Sequence, residues 1–228
     1  MIPVVGFGAG GHAKVVIEIL RSLGEYEIVG LLETQKELWG TRVLEVEVLG
    51  DDSLMGELKS RGINHAFIGL GTVGDAHPRR RLYEKVSQFG FQIVAAIHPA
   101  AVISPSAQIG KGPTIMAGAV VNANAVLGDN VIVNTGAIVE HDCVVGDHSH
   151  IATGACLAGA VQVGRGSHIG LGAVVRQEIV IGSEVTVGAG SVVVRDVPDG
   201  QTVVGVPARV RGEGDIPPAK AQRRKENP

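Results

Sequence analysis

A six-residue spacing of aliphatic side chains runs through the C-terminal part of the chain. From position 97 onward, Ile, Val or Leu stands at every sixth position, seventeen times in succession. These residues are Ile97, Ile103, Ile109, Ile115, Val121, Leu127, Val133, Val139, Val145, Ile151, Leu157, Val163, Ile169, Val175, Ile181, Val187 and Val193. The position two residues earlier is usually small, as at Ala119, Ala137 and Ala155. Chance does not plausibly deliver such a run.

Glycine adds a longer period of eighteen residues. One series is Gly110, Gly128, Gly146, Gly164 and Gly182, and a second is Gly118, Gly136, Gly154, Gly172 and Gly190. A chain that needs a permissive backbone at the same two places every eighteen residues turns the same corners each time. Three hexads therefore form one triangular coil, which is the hexapeptide-repeat signature of a left-handed parallel β-helix. We expect about five coils, ~4.8 Å apart, with residues eighteen apart stacked in columns.

The first 96 residues follow another pattern, in which apolar segments alternate with amphipathic ones. Strands are predicted over 2–7, 26–33, 65–71 and 91–99, and helices over 12–24, 53–62 and 78–90. This alternation predicts a small Rossmann-like α/β domain with a parallel sheet. The chain is thus divided into residues 1–96, a β-helix over 97–210, and a charged, proline-containing tail over 211–228 that we expect to be disordered.

Composition narrows the range of functions. The chain has 33 glycines but only four Phe, two Tyr and one Trp, so something other than ring packing organises its core. A net charge of -3 gives no reason to expect a nucleic-acid partner, and two cysteines make no disulfide framework. Apolar runs fall short of the ~18–20 residues that cross a bilayer, and no leader opens the chain. We therefore expect a soluble, cytoplasmic protein.

A glycine turn joins the first strand to the first helix. Gly6, Gly8 and Gly11 satisfy G-x-G-x-x-G at the place where backbone amides of a helix N-terminus receive phosphate. A tight turn without a ligand is the alternative. A full dinucleotide fold for hydride transfer is disfavoured, because about 96 residues hold only half of the doubly wound sheet. We expect a single nucleotide, bound at Gly8, Gly10 and Gly11.

Charged residues near this turn allow two interpretations. Glu33, at the end of the second strand, is expected to contact a ribose or a base, or else to be a solvated loop carboxylate. Arg79, Arg80 and Arg81 can supply charge to a phosphate, although a basic helix face in water is the expected role for at least two of them.

The segment from Asn134 to His150 concentrates three of the eight histidines, three acidic residues and one cysteine. His141 follows the interior Val139 by two positions, so it should project from a coil edge. Its column neighbour one coil on is Gly159. A histidine beside a bare backbone position leaves a notch for an acyl group, with a base near an attacking amine and an N–H near the oxyanion. An exposed histidine on a structural rim is the alternative.

Neighbours of His141 suggest further roles. Asp142 is expected to orient the imidazole, with Glu140 as its rival; Asp142 could instead face a partner subunit's histidine or the sugar. Cys143 invites an acyl-enzyme hypothesis. Its place in a small interior slot argues for a buried, inert sulfur instead.

Histidines of this segment also suggest zinc. His150 and His168 fall in one outward column, and His148 lies close by in sequence. Metal chemistry explains neither the glycine turn nor "GVPAR", so no metal is expected. We interpret His150 as lining the sugar or acetyl pocket and His168 as an ordinary surface residue.

Four segments together resemble a known family. They are "GAGGHAK", "IHPAAVISPSAQIG", "IVEHDCVVGDHSHIATGACLAG" and "VVGVPAR". With them the chain resembles bacterial nucleotide-sugar N-acetyltransferases of the sialic-acid O-acetyltransferase-like group, over nearly all of residues 1–210. The resemblance implies a homotrimer with active sites at subunit interfaces, a nucleotide-linked amino sugar held by the N-terminal domain, and acetyl-CoA as co-substrate in a cleft between subunits.

Site residues carried over from the family extend the prediction. Its catalytic histidine matches His141, its other active-site histidines match His150 and His12, and the glycine whose amide meets the acetyl carbonyl matches Gly159. Asn134 is assigned with His12 and His150 to the substrate. At the end of the β-helix, Gly205, Pro207 and Arg209 match the segment near the pantetheine and adenosine end of CoA, or else cap the last coil.

The chain departs from the family pattern at a position that bears on the nucleobase of the substrate. Where UDP-sugar enzymes of the family carry paired aspartates, this chain reads "LLETQK", with Glu33 and Thr34. A single carboxylate that accepts from guanine N–H groups favours a GDP-linked sugar of the perosamine type over a UDP-linked one.

The predicted reaction is direct transfer in a ternary complex. The C4 amine of a 4-amino-4,6-dideoxy sugar attacks the thioester, His141 accepts the amine proton, and the Gly159 N–H stabilises the oxyanion. The product would serve surface polysaccharide (O-antigen) synthesis. An O-acetyltransferase on the same scaffold, and a ligand-sensing trimer without turnover, are the alternatives.

Overall fold

A computed structural model describes residues 1–212, so the predicted disordered tail lies outside the described residues from position 213 on. The N-terminal part is a six-stranded sheet of order β3-β4-β2-β1-β5-β6, parallel except for the β3–β4 pair. Its strands are β1 (Ile2–Phe7), β2 (Tyr26–Leu32), β3 (Arg42–Val43), β4 (Val46–Gly50), β5 (His65–Ile68) and β6 (Gln92–Ile93). Its helices are α1 (Gly11–Leu23), α2 (Met55–Ser60) and α3 (His77–Gln88), with 3-10 turns at Lys36–Leu38 and Asp52–Leu54. The Rossmann-like prediction is confirmed.

Local signals explain the helix ends. The C-cap of α1 is Gly24 at φ 70, a left-handed conformation that glycine adopts at little cost, and Arg21 stands in the last turn. Pro78 lies in the first turn of α3, where its missing N–H leaves no helical bond unmade.

Two features of the sheet were not predicted. The first is the β3–β4 hairpin, whose turn places Leu44 and Glu45 at positive φ without the Asn-Gly or Asp-Gly that announces such a turn. The second is a break in the strand expected over 91–99. Gln92–Ile93 pairs with β5, whereas Ala96–Ile97 already pairs with Thr114–Ile115 of the β-helix. A domain division at residue 96 stays a prediction.

The left-handed parallel β-helix is confirmed by three stacked sheets of two-residue strands. We number its faces in chain order. The first face contains Ala96–Ile97, Thr114–Ile115, Ile132–Val133, His150–Ile151, His168–Ile169 and Thr186–Val187, extended by Thr202–Val204 and Arg209–Val210. The second face contains Val102–Ile103, Val120–Val121, Ile138–Val139, Cys156–Leu157, Val174–Val175 and Val192–Val193. The third face contains Gln108–Ile109, Val126–Leu127, Val144–Val145, Gln162–Val163 and Val180–Ile181.

In every two-residue strand from Ala96–Ile97 to Val192–Val193 the second residue points inward. From Ile115 on, these hexad aliphatics are buried and form one continuous core together with the small residues two positions before them. The pairing register is eighteen residues, as in Val139 with Leu157 and Leu157 with Val175, up to the last coil, where Val187 pairs with Val203 at sixteen. The eighteen-residue period of the glycines thus equals the number of residues in one coil.

The N-terminal domain packs on the first face. Val16, Ile17 and Leu20 of α1 share a buried cluster with Met116 and Ile132 of the β-helix. This contact fixes the glycine turn at the N-terminus of α1 against the coils. Among residues 1–212, no helix has the length and apolarity that a membrane span needs.

Candidate active site

A cavity of about 1050 Å³ lies where the carboxyl ends of β1, β2 and β5 meet the first face of the β-helix. Its wall includes Gly8, Gly10, Gly11, His12, Glu33, Asn134 and His150, which are all of the residues assigned to the substrate. The loop from Gly69 to Val73, and Met116 and Thr135 from the coils, complete the wall. Ligand sites in open α/β sheets are found at this edge of the strands.

The glycine turn presents free backbone donors to this cavity. Gly8, at φ +101, approaches the backbone of Gly69 and Leu70 so closely that a Cβ would lie 3.1 Å from it. At Gly10 and Gly11, by contrast, a Cβ would meet no atom within 4 Å. Within the described chain the N–H groups of Gly10, Gly11 and His12 have no hydrogen-bond acceptor. An open helix N-terminus of this kind binds phosphate oxygens.

Glu33 organises this turn. Its Oε2 accepts from the N–H of Ala9 at 3.0 Å, and its Oε1 accepts from the N–H groups of Thr34 at 2.8 Å and Gln35 at 3.2 Å. The carboxylate thus joins the ends of β1 and β2 at the cavity wall, and it is half-buried there. A direct contact of Glu33 with a base or ribose stays a prediction.

The three arginines of α3 have three different environments. Arg79 is 1% exposed, Arg80 pairs with Glu184 of the β-helix at 3.0 Å, and Arg81 lines the cavity. The expectation that at least two of them form a solvated basic face is wrong. Arg79 is enclosed between the sheet and the coils, and Arg80 contacts the coils through Glu184.

His150 is buried between the coils and the loop after β5. Its Nδ1 lies 2.9 Å from Oγ1 and 3.0 Å from the carbonyl oxygen of Thr72; the carbonyl can only accept, so this contact requires a proton on Nδ1. Its Nε2 then accepts from Nδ2 of Asn134 at 3.1 Å. The pKa of His150 is lowered to about 3, mainly by burial and secondarily by the neighbouring His168, so the imidazole is neutral.

His168 lies one coil beyond His150, with the two ring centroids 4.9 Å apart. Its Nδ1 is buried and has no hydrogen-bond partner among residues 1–212. The prediction of an ordinary surface residue is wrong, because the loop after β5 continues across this column and Thr186 donates to the carbonyl of Gly74. Both nitrogens of His150 are occupied, and the described residues contain no group of three or more His, Cys, Asp or Glu side chains able to hold a metal ion.

His141 projects from the edge between the second and third faces, and its side chain is 60% exposed. Its Nδ1 lies 2.8 Å from Oδ2 of Asp142. This hydrogen bond, more than any other cause, raises the pKa of His141 and lowers the pKa of Asp142. Because Nδ1 faces the carboxylate, Nε2 is the nitrogen left to accept a proton.

The notch expected beside His141 is occupied by the imidazole itself. A Cβ on Gly159 would lie 2.6 Å from both Cε1 and Nε2 of the ring. The missing side chain therefore lets the ring lie over the backbone of the next coil. In the described chain the N–H of Gly159 has no acceptor, so a free donor belongs to the same backbone position that the His141 ring covers.

Two neighbours of His141 have structural contacts. Glu140 accepts through Oε2 from Nδ2 of Asn122 at 3.0 Å, so Asp142 is the carboxylate that contacts the imidazole. Cys143 is fully buried, and burial is the largest of the causes that raise the pKa of its thiol, which does not favour a thiolate.

Of the C-terminal residues assigned to CoA, Gly205 caps the second face. The N–H of Gly205 donates to Oγ of Ser191, and its carbonyl accepts from Val192. Pro207 follows a cis peptide bond, and Arg209 lies in the terminal hairpin, exposed to solvent. Val193 is three coils beyond Val139 by the pairing register, so these residues lie beyond His141 along the helix axis.

Sequence reasoning missed several wall residues. Thr72 holds His150, and Asp52 forms an ion pair with Lys85 at the cavity wall. No motif marks these residues, since each acts through a partner more than thirty positions away. Neither His141, Asp142 nor Gly159 lines the cavity, so one chain carries two separate groups of candidate residues.

Comparisons with known proteins match both the N-terminal domain and the β-helix. Residues 4–86 match the family model of the PglD N-terminal domain, and residues 106–141 and 124–159 match that of the bacterial transferase hexapeptide repeat. A GDP-perosamine N-acetyltransferase from Caulobacter crescentus, solved as a single-residue variant in complex with CoA and GDP-perosamine, is 43% identical, with a TM-score of 0.86, over 92% of this chain and 97% of that chain.

Two further relatives carry related names. The acetyltransferase domain of PglB from Neisseria gonorrhoeae FA1090, in complex with acetyl coenzyme A, is 43% identical, with a TM-score of 0.85, over 92% of this chain and 99% of that chain. The UDP-N-acetylbacillosamine N-acetyltransferase of Bacillus subtilis (strain 168) is 38% identical over 111 residues, which are 48% of this chain and 49% of that protein. The match thus spans about half the length of this curated relative.

Proposed function

The chain belongs to the hexapeptide-repeat nucleotide-sugar N-acetyltransferases, and from this premise we propose that it transfers acetyl from acetyl-CoA to the C4 amino group of a nucleotide-linked 4-amino-4,6-dideoxy sugar. GDP-perosamine is the proposed acceptor, since a 43% identical relative has that name and was solved with that ligand. The observation that carries the proposal is that the imidazole of His141, with Nε2 free to accept a proton, lies against Gly159, whose N–H has no acceptor among residues 1–212.

The proposed nucleotide sugar lies in the cavity. Its diphosphate receives hydrogen bonds from the N–H groups of Gly10, Gly11 and His12 at the positive end of the α1 dipole. Its sugar extends toward Asn134 and His150. Both of these side chains are fixed by their mutual hydrogen bond and by Thr72, so they present a pre-organised wall.

The proposed chemistry is direct aminolysis. The neutral C4 amine attacks the thioester carbonyl, and the oxyanion accepts a hydrogen bond from the Gly159 N–H. The amine proton passes to Nε2 of His141, while Asp142 stabilises the resulting imidazolium through Nδ1. Collapse of the tetrahedral intermediate forms the amide and expels the CoA thiolate, which takes up the proton.

One chain does not bring these two groups together, so we propose a homotrimer in which a neighbouring copy supplies His141 to each cavity. The outward residues of the second face support this assembly. All six are apolar, two of them (Val102 and Val174) are exposed and the others are half-buried: Val102, Val120, Ile138, Cys156, Val174 and Val192. Such a stripe over six coils, roughly 24 Å long, is typical of a subunit interface. His141 lies at the edge of that face.

The relatives differ in the nucleobase of the nucleotide sugar that their names give. A UDP-linked acceptor is the second candidate, supported by the PglD-type N-terminal domain and by the Bacillus subtilis relative. A panel of GDP- and UDP-linked 4-amino sugars, assayed with acetyl-CoA by thiol release, tests both. Turnover of the GDP-linked sugar at a kcat/KM at least tenfold higher supports the proposal, and the reverse order rejects GDP.

The base role of His141 has a separate test in the His141→Asn variant. Asparagine cannot accept the amine proton, so kcat should fall about 100-fold or more. Retention of most of the activity, with an unchanged acidic limb in the pH-rate profile, would rule out a general base. A hydroxyl-sugar acceptor assayed in parallel tests the O-acetyltransferase alternative.

We place the reaction in surface polysaccharide (O-antigen) synthesis in the cytoplasm. Both proposed co-substrates, acetyl-CoA and a nucleotide sugar, are cytoplasmic metabolites, and an N-acetylated nucleotide sugar is a donor for glycosyl transfer. Gly205, Pro207 and Arg209 are proposed to lie along CoA, with Arg209 offering charge to its phosphates.

A further inference from the structure

Arg79 is a buried cation without a carboxylate partner among residues 1–212. It is 1% exposed, and its Nη1 donates to the carbonyl oxygens of Leu70 at 2.6 Å and Ile68 at 3.1 Å. Its Nη2 lies 3.4 Å from Oγ1 of Thr114 on the first face. Burial lowers the pKa of Arg79 to about 9, which leaves the guanidinium charged at neutral pH. A fully desolvated charge is costly, so its position calls for an explanation.

The same guanidinium reaches the cavity through His12. Nη1 of Arg79 lies 3.3 Å from Nε2 of His12. Nη1 has two N–H groups and three acceptors around it, so the contact with His12 shares a hydrogen with one of the carbonyl contacts. Because a guanidinium has donors and no acceptor, this contact requires a lone pair on Nε2 and places the proton of the neutral ring on Nδ1. Burial is the largest cause that lowers the pKa of His12 to about 3. The charge of Arg79 on α3 and the electrostatic influence of His150 on the coils, the two titratable groups that face His12, act in the same direction.

Nδ1 of His12 faces open space. Gly71 lies beside the ring, where a Cβ would stand 3.5 Å from Nδ1, and both His12 and Gly71 line the cavity. No group of the described chain hydrogen-bonds Nδ1. A side chain on Gly71 would cover this nitrogen, and glycine leaves it uncovered.

We propose that Arg79 is a positioning residue, which fixes His12 as an uncharged donor whose Nδ1–H binds an oxygen of the nucleotide sugar. His12 then cannot be a base, because its lone pair is bound to Arg79 and its other nitrogen already carries a proton. The inference rests on the proposed nucleotide-sugar site, although the tautomer itself is a property of the free protein. Arg79 also ties the Gly69–Val73 loop to the coils, so one side chain sets two parts of the cavity wall.

The ring nitrogens of His12 give the decisive measurement. In protein carrying ¹⁵N-histidine, with His12 assigned by its loss in a His12→Asn variant, we expect a protonated Nδ1 and an unprotonated Nε2 that do not titrate between pH 8 and 5. A proton on Nε2, or titration near pH 6.5, overturns the proposal. This measurement needs no substrate and no arginine variant. It can therefore support or reject the tautomer even if the proposed acetyltransferase function is wrong.

Two arginine variants separate positioning from packing. Arg79→Met should shift the His12 tautomers toward Nε2–H and raise the KM for the nucleotide sugar about tenfold, with the KM for acetyl-CoA unchanged. Arg80→Met is the matched control, because Arg80 also docks α3 onto the coils, through Glu184, but does not contact His12. Unchanged His12 signals and KM in a folded Arg79→Met protein would contradict a positioning role. If Arg79→Met does not fold, Arg79→Lys and the wild-type ring signals decide the question.

Affinities for two ligands, GDP and the nucleotide sugar, show which oxygen accepts the hydrogen bond from Nδ1 of His12. A loss of affinity for GDP alone in His12→Ala places it on the diphosphate, and a loss confined to the nucleotide sugar places it on the sugar. Either outcome supports a donor at Nδ1, and equal affinity of wild type and variant for both ligands refutes it.

Discussion

The imidazole of His141 lies directly over the backbone of Gly159 on the next coil, so closely that a Cβ there would stand 2.6 Å from Nε2. The two residues are eighteen apart, which is the length of one coil. A single backbone position without a side chain thus sets the distance between a candidate base and a candidate oxyanion donor. The same contact explains why a histidine with a 60% exposed side chain has a defined position.

We expect Gly159→Ala to lower kcat about 100-fold with little loss of stability. The new methyl group must displace the ring, and an exposed ring can swing into solvent at small cost. Steady-state kinetics and thermal unfolding measure the two effects. Gly56→Ala is the control, since a Cβ there meets no atom within 4 Å. Wild-type kcat in Gly159→Ala would show that the contact has no part in turnover.

The Asp142→Asn substitution should move the acidic limb of the pH-rate profile. The hydrogen bond to Asp142 is the largest cause that raises the pKa of His141, so its loss lowers that pKa. A base must be unprotonated, and the rise of kcat/KM should therefore begin at lower pH, with a lower plateau. Glu140→Gln is the comparison and should shift the limb less, because Glu140 acts only through its charge. An equal shift in both variants would argue against a special role of Asp142.

A methyl group at the open turn should block the nucleotide. Gly11→Ala adds a Cβ to the first turn of α1 without meeting any protein atom, so the fold should be retained. The Cβ occupies the space assigned to phosphate, and we expect the Kd for GDP to rise about tenfold or more. Quenching of the single tryptophan, Trp39, whose indole donates to the carbonyl of Glu33, offers a readout. Unaltered affinity would move the diphosphate away from this turn.

Charge on the second face should dissociate the assembly. Val174 and Val180 are 44% and 43% exposed, but the first lies on the second face and the second on the third face. We expect Val174→Glu to sediment as a monomer without activity, because no neighbour then supplies His141. Val180→Glu should remain trimeric and active. If Val180→Glu dissociates the trimer and Val174→Glu does not, the interface lies on the third face.

Acid should destabilise the protein below pH 6.5. Burial lowers the pKa of His12 and of His150 to about 3 in the folded state, whereas the unfolded state protonates near 6.5. As pH falls through that window the unfolded state binds protons that the native state refuses, so the free energy of unfolding falls by up to about 1.4 kcal/mol per pH unit for each histidine. Unfolding midpoints at pH 7.5 and 5.5 test this. Equal midpoints would mean that these rings are protonated in the native state.

The sequence by itself determined the β-helix and the neighbours within it. In a coil of fixed length, residues eighteen apart must stack, so the adjacency of His141 and Gly159 and the burial of Cys143 follow from counting. The βα turn at Gly8 to Gly11 is equally local, since a strand, a glycine run and a helix follow one another directly. Even so, the sequence suggested an empty notch at Gly159, because counting gives the column but not the direction of a ring.

Only the tertiary structure decided the environments of Arg79, Glu33 and His168. Each of these residues meets a partner from another element: Arg79 meets His12 and Thr114, Glu33 meets Ala9, and His168 lies under the loop after β5. Such contacts depend on how α3 and the sheet dock on the coils through buried apolar side chains. Hydrophobic burial has no direction of its own, so the pattern of apolar positions predicts that two faces meet but not which polar groups are enclosed between them.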